Sequence, residues 1–362
     1  MQTERTNREQ LAETACTELL SYGSWDIKTY IKRAVSRVIL RRNLAPRDLI
    51  FWPTGLLAAG LWNYRSELVK AEGQDKNAEL EEKILNALEL YYDRWISKGM
   101  KVNCLDDLLA GETLLAMQQE RAADTGKDYG RALEILAEFA RQHPTDETGS
   151  FPYRVRKESQ ENGYVFVDTI GLACPFLYRY GEVYGRQEFQ EIAVRQIANY
   201  LAYGMDEQHD LPYHGYDLKA GCKYGIIGWG RAVGWLLRGM NGCMQSAYGR
   251  EKLESFYGPI VDRVLQYQRQ DGYFSWQLQA MEGPKDSSAT AMIGVGLQGG
   301  IRLGILTDEK YKTALEACKE AVGKSVREGR VYDCSAECEG FAQYPQRYGA
   351  YPWALGPGME IL

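Results

Sequence analysis

Apolar residues recur at i, i+3 and i+4 along nearly the whole chain, the spacing that turns one stripe of an α-helix toward a core. Residues 8–23 and 26–40 make a first pair of such segments, and 53–73 with 77–99 a second. The rhythm continues through 105–120 with 131–143, 167–185 with 188–204, 228–249 with 251–268, and 287–304 with 308–324. A short helical tail follows Gly349. The pattern predicts about twelve helices in six hairpins, repeating loosely every ~50 residues. Within several pairs the first segment is rich in Gly and Ala, as in GLLAAGL at 55–61, while the second carries more charge, as in NAELEEKILNALEL at 77–90. First members in an inner ring, with second members wrapped outside, reproduce that asymmetry. A closed ring also needs no polar capping repeats. No Pro/Ser-rich linker interrupts 150–350, so residues 1–362 read as one all-α domain, a ring of six helical hairpins.

Composition narrows the function classes. A net charge of −6 argues against nucleic-acid or membrane-surface partners, which favour basic proteins. No run approaches the roughly 18 apolar residues of a membrane span. The opening MQTERTNREQLAETACTELL lacks a signal-peptide core, so a cytoplasmic protein is expected. The eight cysteines are scattered, and the CSAEC spacing of Cys334 and Cys338 has no second Cys/His pair beside it. Reduced thiols and no metal are therefore expected. The 25 tyrosines offer apolar rings with polar tips, which suit sugars as well as protein surfaces. Phosphate-loop, dinucleotide, zinc-helix and nucleophile-elbow motifs are absent, so neither a nucleotide cofactor nor serine hydrolysis is expected.

The loops before the inner helices, 149–166, 210–228 and 271–286, are aromatic, polar and glycine-containing, and functional residues gather on such loops over a rigid scaffold. Asp168 opens an apolar helix in YVFVDTIGLACPFL; it either caps that helix or faces the site as an acid. Asp106 and Asp107 hold the equivalent place on the preceding inner helix. Adjacent helical residues point about 100° apart, so only one of them can face the centre. Paired with Asp168, that carboxylate would push one pKa upward. In GWGRAVGW, Trp229 and Trp235 could form a sugar platform and Arg231 a carboxylate clamp, or both tryptophans could be core. His214 in LPYHGYD is a candidate proton shuttle or hydrogen-bond donor, or an ordinary loop residue. Asp286 with Ser287 and Ser288 reads as ordinary helix-start chemistry.

VDTIGLACPFL, YHGYD, WGRAVGW and DSSATAM, in that order, resemble the unsaturated glucuronyl and rhamnogalacturonyl hydrolases of glycoside hydrolase families 88 and 105, the latter more closely. The resemblance runs from about residue 50 to the end, with PYR before the aspartate helix and YPWALGPG near the C-terminus fitting the same pattern. It implies an (α/α)6 barrel acting on small oligosaccharides that end in a 4,5-unsaturated uronic acid. The reaction it implies is hydration of the C4=C5 bond, after which the aglycone is released. By resemblance Asp168 is the proton donor and Asp106 its companion carboxylate. His214, Trp229, Arg231 and Trp235 would hold the unsaturated sugar. Two departures bear on the aglycone: Ala232 and Val233 replace the Gly-Asn that commonly follows the arginine, and Tyr153-Arg154 stands where some members carry His-Lys. The residues alone leave an inverting glycosidase, a sugar epimerase or a non-catalytic carbohydrate-binding protein as alternatives.

Overall fold

Segments rich in Gly and Ala fold as helices buried on nearly every side, and the charged segments as helices buried along one stripe. Thus α2 (Trp52–Lys70) buries every residue from Pro53 to Leu61, whereas α3 (Ala78–Ser97) buries Ile84, Leu88, Tyr91, Tyr92 and Trp95 along one face. In this computed structural model, residues 6–22, 49–70, 78–125, 127–153, 163–339 and 343–362 are described. They contain α1 (Asn7–Ser21), α4 (Ala110–Thr125) led in by a 3-10 turn (Leu105–Leu109), α5 (Gly130–Gln142), α6 (Asp168–Val183) and α7 (Gln187–Tyr203). After these come α8 (Gly230–Cys243), α9 (Ala247–Leu265), α10 (Ser287–Arg302), α11 (Glu309–Ser325) and α12 (Pro352–Ile361).

The inner ring runs α2–α4–α6–α8–α10–α12 and closes by packing α12 against α2. The fold is an (α/α)6 barrel. One detail differs from the sequence reading. The expected short tail is α12, a full inner member buried from Pro352 to Ile361, and α1 stands outside, against α2, α3 and α12. The helix expected over 26–40 lies outside the described residues. Closure depends on direct backbone contact. A Cβ on Gly60 would sit 2.4 Å from the Gly356 carbonyl oxygen, and one on Gly356 would sit 2.3 Å from that of Leu56. Only glycine permits so close an approach.

Among the described residues, seven short strands, which helical periodicity does not predict, sit in the connections. β1 (Val165–Phe166), β2 (Gly215–Asp217) and β3 (Cys222–Tyr224) form an antiparallel three-stranded sheet. β4 (Val326–Arg327) pairs with β5 (Arg330–Val331), and β6 (Cys334–Ser335) with β7 (Tyr348–Gly349). The first sheet leads directly into α6 and precedes α8, so it shapes the mouth at the N-terminal ends of the inner helices.

Candidate active site

The β1–β2 register brings two chemistry-bearing residues together. Val165 pairs with Tyr216 and Phe166 with Gly215, and the Val167 N–H donates to the His214 carbonyl at 3.0 Å. Asp168, just past β1, therefore meets His214, just before β2. Asp168 Oδ2 lies 3.1 Å from His214 Nε2 without a formed hydrogen bond between them. Such contacts are often loose before a ligand arrives. The capping alternative for Asp168 does not hold. Val167 occupies the N-cap position in helical conformation, Asp168 is the first helical residue, and no side-chain cap bond forms there.

The 3-10 turn separates Asp106 from Asp107. Asp107 is fully buried and turned to its own backbone, accepting from the N–H groups of Asn103 at 2.7 Å and Cys104 at 3.4 Å. Asp106 points the other way. Its Oδ2 accepts from the Tyr153 hydroxyl at 2.9 Å, and its buried Oδ1 has no hydrogen-bond partner. Burial pushes the Asp106 carboxyl up to about 7; the Tyr153 hydrogen bond works against this, and the nearby charges of Asp168, Asp107 and Glu337 add to it. Tyr153 in turn stacks on Phe166, with ring centroids 4.6 Å apart. Arg154 lies outside the described residues.

His214 is 3% exposed, far from an ordinary loop histidine. Its ring sits 4.6 Å from that of Trp229 and 5.0 Å from that of Phe166, and its Nδ1 is 2.8 Å from the Tyr344 hydroxyl. Trp229 caps α8 and stands 4.8 Å under the Arg231 guanidinium.

Arg231 and Trp235 depart from the expected clamp and platform. Arg231 is buried with both Nη atoms committed inside the protein. Nη1 donates to Ser288 Oγ, Ser335 Oγ and the Ser335 carbonyl, Nη2 donates to the Ala336 carbonyl at 2.8 Å, and Asp286 Oδ2 lies 3.6 Å away. It ties α8 to α10 and β6 and supports Trp229 from behind. Trp235 is core: one turn deeper in α8, it packs against Gly171 of α6 and edge-on to Trp52 at 6.3 Å.

A mouth at the N-terminal ends of an (α/α)6 ring, with paired carboxylates and an aromatic-walled histidine, fits glycoside chemistry, and comparison with known proteins decides the family. The model of Glycosyl Hydrolase Family 88 matches residues 43–352. The chain belongs to that family. It is a glycoside hydrolase. It is 26% identical over 295 residues to the unsaturated rhamnogalacturonyl hydrolase YesR of Bacillus subtilis, covering 78% of this chain and 82% of that protein. A possible family 105 member from Klebsiella pneumoniae superposes with a TM-score of 0.80 at 16% identity, over 100% of this chain and 93% of that one. The unsaturated glucuronyl hydrolase of Bacillus sp. GL1 superposes at 0.66 and 16% identity, over 98% and 94%. At such identities these likenesses concern the fold.

Several wall residues of this family 88 site escaped the sequence reading. Phe166, Tyr344, Trp276, Trp52 and Trp353 line or back it. Trp276 and Tyr344 lie 5.9 Å apart, and Trp52 and Trp353 4.9 Å. Trp353 also donates from Nε1 to the Ser335 carbonyl, fastening α12 to the loop that holds Arg231. The YPWALGPG run contained that signal; nothing local marked Tyr344.

Proposed function

We propose that this family 88 protein hydrates the C4=C5 bond of a 4,5-unsaturated uronic acid at the end of a small oligosaccharide and so releases the remaining sugar. The observation carrying the proposal is the Asp168–Asp106 pair. Asp168 is a partly exposed carboxylate that receives no cap or backbone hydrogen bond among the described residues, and it stands beside a buried carboxyl that holds its proton to about pH 7. Asp168 delivers the proton to C4, and Asp106 keeps a proton in the pair at neutral pH. Water adds at C5 and returns a proton to the Asp168 carboxylate, so one group serves as acid and then as base. The C5 hemiketal then opens and the aglycone leaves as an alcohol. Trp229, Phe166 and Tyr344 supply apolar walls for the flat unsaturated ring. Tyr153 holds Asp106, and Arg231 holds the Trp229 wall in place.

The similarity to YesR over four fifths of both chains supports an unsaturated rhamnogalacturonyl substrate. Among the described residues all eight cysteines are free thiols, which fits a reducing compartment, and we place the enzyme in the cytoplasm acting on imported oligosaccharides. No described helix is long and apolar enough to cross a membrane. The test is incubation with unsaturated disaccharides released by pectin and glycosaminoglycan lyases, following the ultraviolet absorbance of the double bond. Loss of absorbance with wild type and not with Asp168→Asn supports hydration, and the disaccharide consumed fastest names the substrate branch. Turnover of a saturated glycoside with the double bond left intact would replace this reading with inverting hydrolysis.

A further inference from the structure

A hydrogen-bond chain enters the site from the far end of the sequence. The Ile226 N–H donates to the Tyr344 hydroxyl oxygen at 3.3 Å, which leaves the hydroxyl proton for another partner. His214 Nδ1 lies 2.8 Å from that oxygen, a contact in which the hydroxyl donates when Nδ1 is bare. Tyr344 stays a neutral phenol, because burial raises its pKa. A neutral imidazole carries a single N–H, and a ring whose Nδ1 accepts must carry that proton on Nε2. Nε2 is the atom 3.1 Å from Asp168 Oδ2.

The arrangement is built to be tight. Gly225 has φ +78°, and a Cβ there would fall 2.5 Å from both His214 Cβ and the Tyr344 hydroxyl oxygen. Any other residue would push the two partners apart. Trp229 and Phe166 pack tilted against the imidazole at 4.6 and 5.0 Å, which crowds a ring flip.

We propose that Tyr344 is a positioning residue that fixes the Nε2–H tautomer of His214 and through it the orientation of Asp168. Its effect on turnover rests on the proposed role of Asp168; the tautomer itself does not. With a proton on Nε2, 3.1 Å from Oδ2, that oxygen accepts once the contact tightens, and the transferable proton of Asp168 belongs on Oδ1, directed at the sugar. In the opposite tautomer a bare Nε2 would draw the Asp168 proton toward the histidine and away from C4. An imidazolium would hold Asp168 as a carboxylate with no proton to give. Tyr344 opposes both states by donating to Nδ1. Among the described residues, the other ionisable groups acting on this cluster are Asp106 from the 3-10 turn, Tyr153 from the loop before β1, Tyr200 from α7, Arg231 from α8, and Glu337 and Cys338 from the loop after β6.

The chain has three histidines, so imidazole nitrogens labelled with nitrogen-15 give a spectrum simple enough to assign with His143→Gln and His209→Gln variants. At neutral pH the wild-type spectrum should show His214 protonated on Nε2 and bare on Nδ1. A wild-type His214 protonated on Nδ1 overturns the proposal, and that readout needs neither activity nor a Tyr344 variant. In Tyr344→Phe the ring should become a tautomer mixture or an imidazolium. With an unsaturated disaccharide, kcat should fall about 10-fold or more while KM stays within about twofold. A variant that raises KM and leaves kcat in place would make Tyr344 a wall residue only, against the proposal. If wild type consumes no unsaturated disaccharide, the functional reading fails and the nitrogen spectrum alone decides the tautomer.

Discussion

Two inner helices begin with an acid, and the protein treats the two carboxylates in opposite ways. Asp286, before α10, is fully buried and saturated. Its Oδ1 accepts from the N–H groups of Ser288, Ala289 and Ser335 and from the Ser288 hydroxyl, while Oδ2 accepts from the Ser335 hydroxyl with Arg231 3.6 Å away. Asp168, one residue further into its helix, caps no helix end, and among the described residues His214 at 3.1 Å is its ion-pair partner. Both feel the positive end of a helix. A carboxylate whose lone pairs are filled by the protein has no room for a substrate proton, so the helix start alone does not mark an acid as chemical. What separates them is how many donors the fold aims at each oxygen.

The largest expected effect breaks the comparison from the Asp168 side. Asp168→Asn keeps the shape and removes the transferable proton. Turnover of an unsaturated disaccharide should fall about 10³-fold or more. The urea midpoint should barely move, since no cap or buried pair is lost. An equal loss of stability and activity would class Asp168 with Asp286. The reciprocal change, Asp286→Asn, leaves Arg231 buried without its counter-charge and puts an amide NH2 where the Ser335 hydroxyl now donates, while the amide oxygen can still accept from Ser288. Removing one partner of a buried pair costs about 3–5 kcal/mol, to be read by urea denaturation. Activity per folded molecule should survive far better than in Asp168→Asn.

That contrast also shows what was legible in the chain and what was not. The i, i+3, i+4 stripes located the eleven described helices from α1 to α11, and a Gly/Ala bias marked most of the inner members, because burial on all sides leaves a compositional trace. The same bias fails for α12: PWALGPGMEIL is too short and too uniformly apolar to show a period, so it read as a tail although it closes the ring. Asp168 escaped certainty for a different reason. Its freedom from capping follows from Val167 turning helical early and from the two-residue pairing of β1 with β2, and strands so short have no periodic signal. Arg231 and Trp235 were found as residues and misjudged as surfaces, because their partners Ser335, Ala336 and Trp52 lie about a hundred or more residues away in sequence.

Asp106 sharpens the comparison by pH. Its folded-state value of about 7 lies above the ~3.9 of an unfolded aspartate, so the folded state binds the proton more strongly. Stability contributed by this group is complete below about pH 4, declines as pH rises toward 7 and is level above that, where both states are ionised. Asp106→Asn should flatten that slope in urea titrations run from pH 4 to 8, and it should remove the alkaline fall of kcat/KM expected near pH 7 in wild type. A wild-type profile without an alkaline limb in that region would take Asp106 out of the proton inventory.

The smallest effect is the most discriminating. The Tyr153 hydroxyl donates to Asp106 at 2.9 Å, a bond that favours the carboxylate and holds its pKa below where burial alone would put it. Tyr153→Phe removes the donor and keeps the ring on Phe166. The Asp106 pKa must then rise, and the alkaline limb of kcat/KM should move to higher pH by about one unit or less, with a stability loss of about 1 kcal/mol. Only a proton held on Asp106 predicts that direction. An unmoved limb would mean that the titrating group lies elsewhere in the mouth, and a limb displaced to lower pH would mean that the hydroxyl stabilises the protonated acid instead.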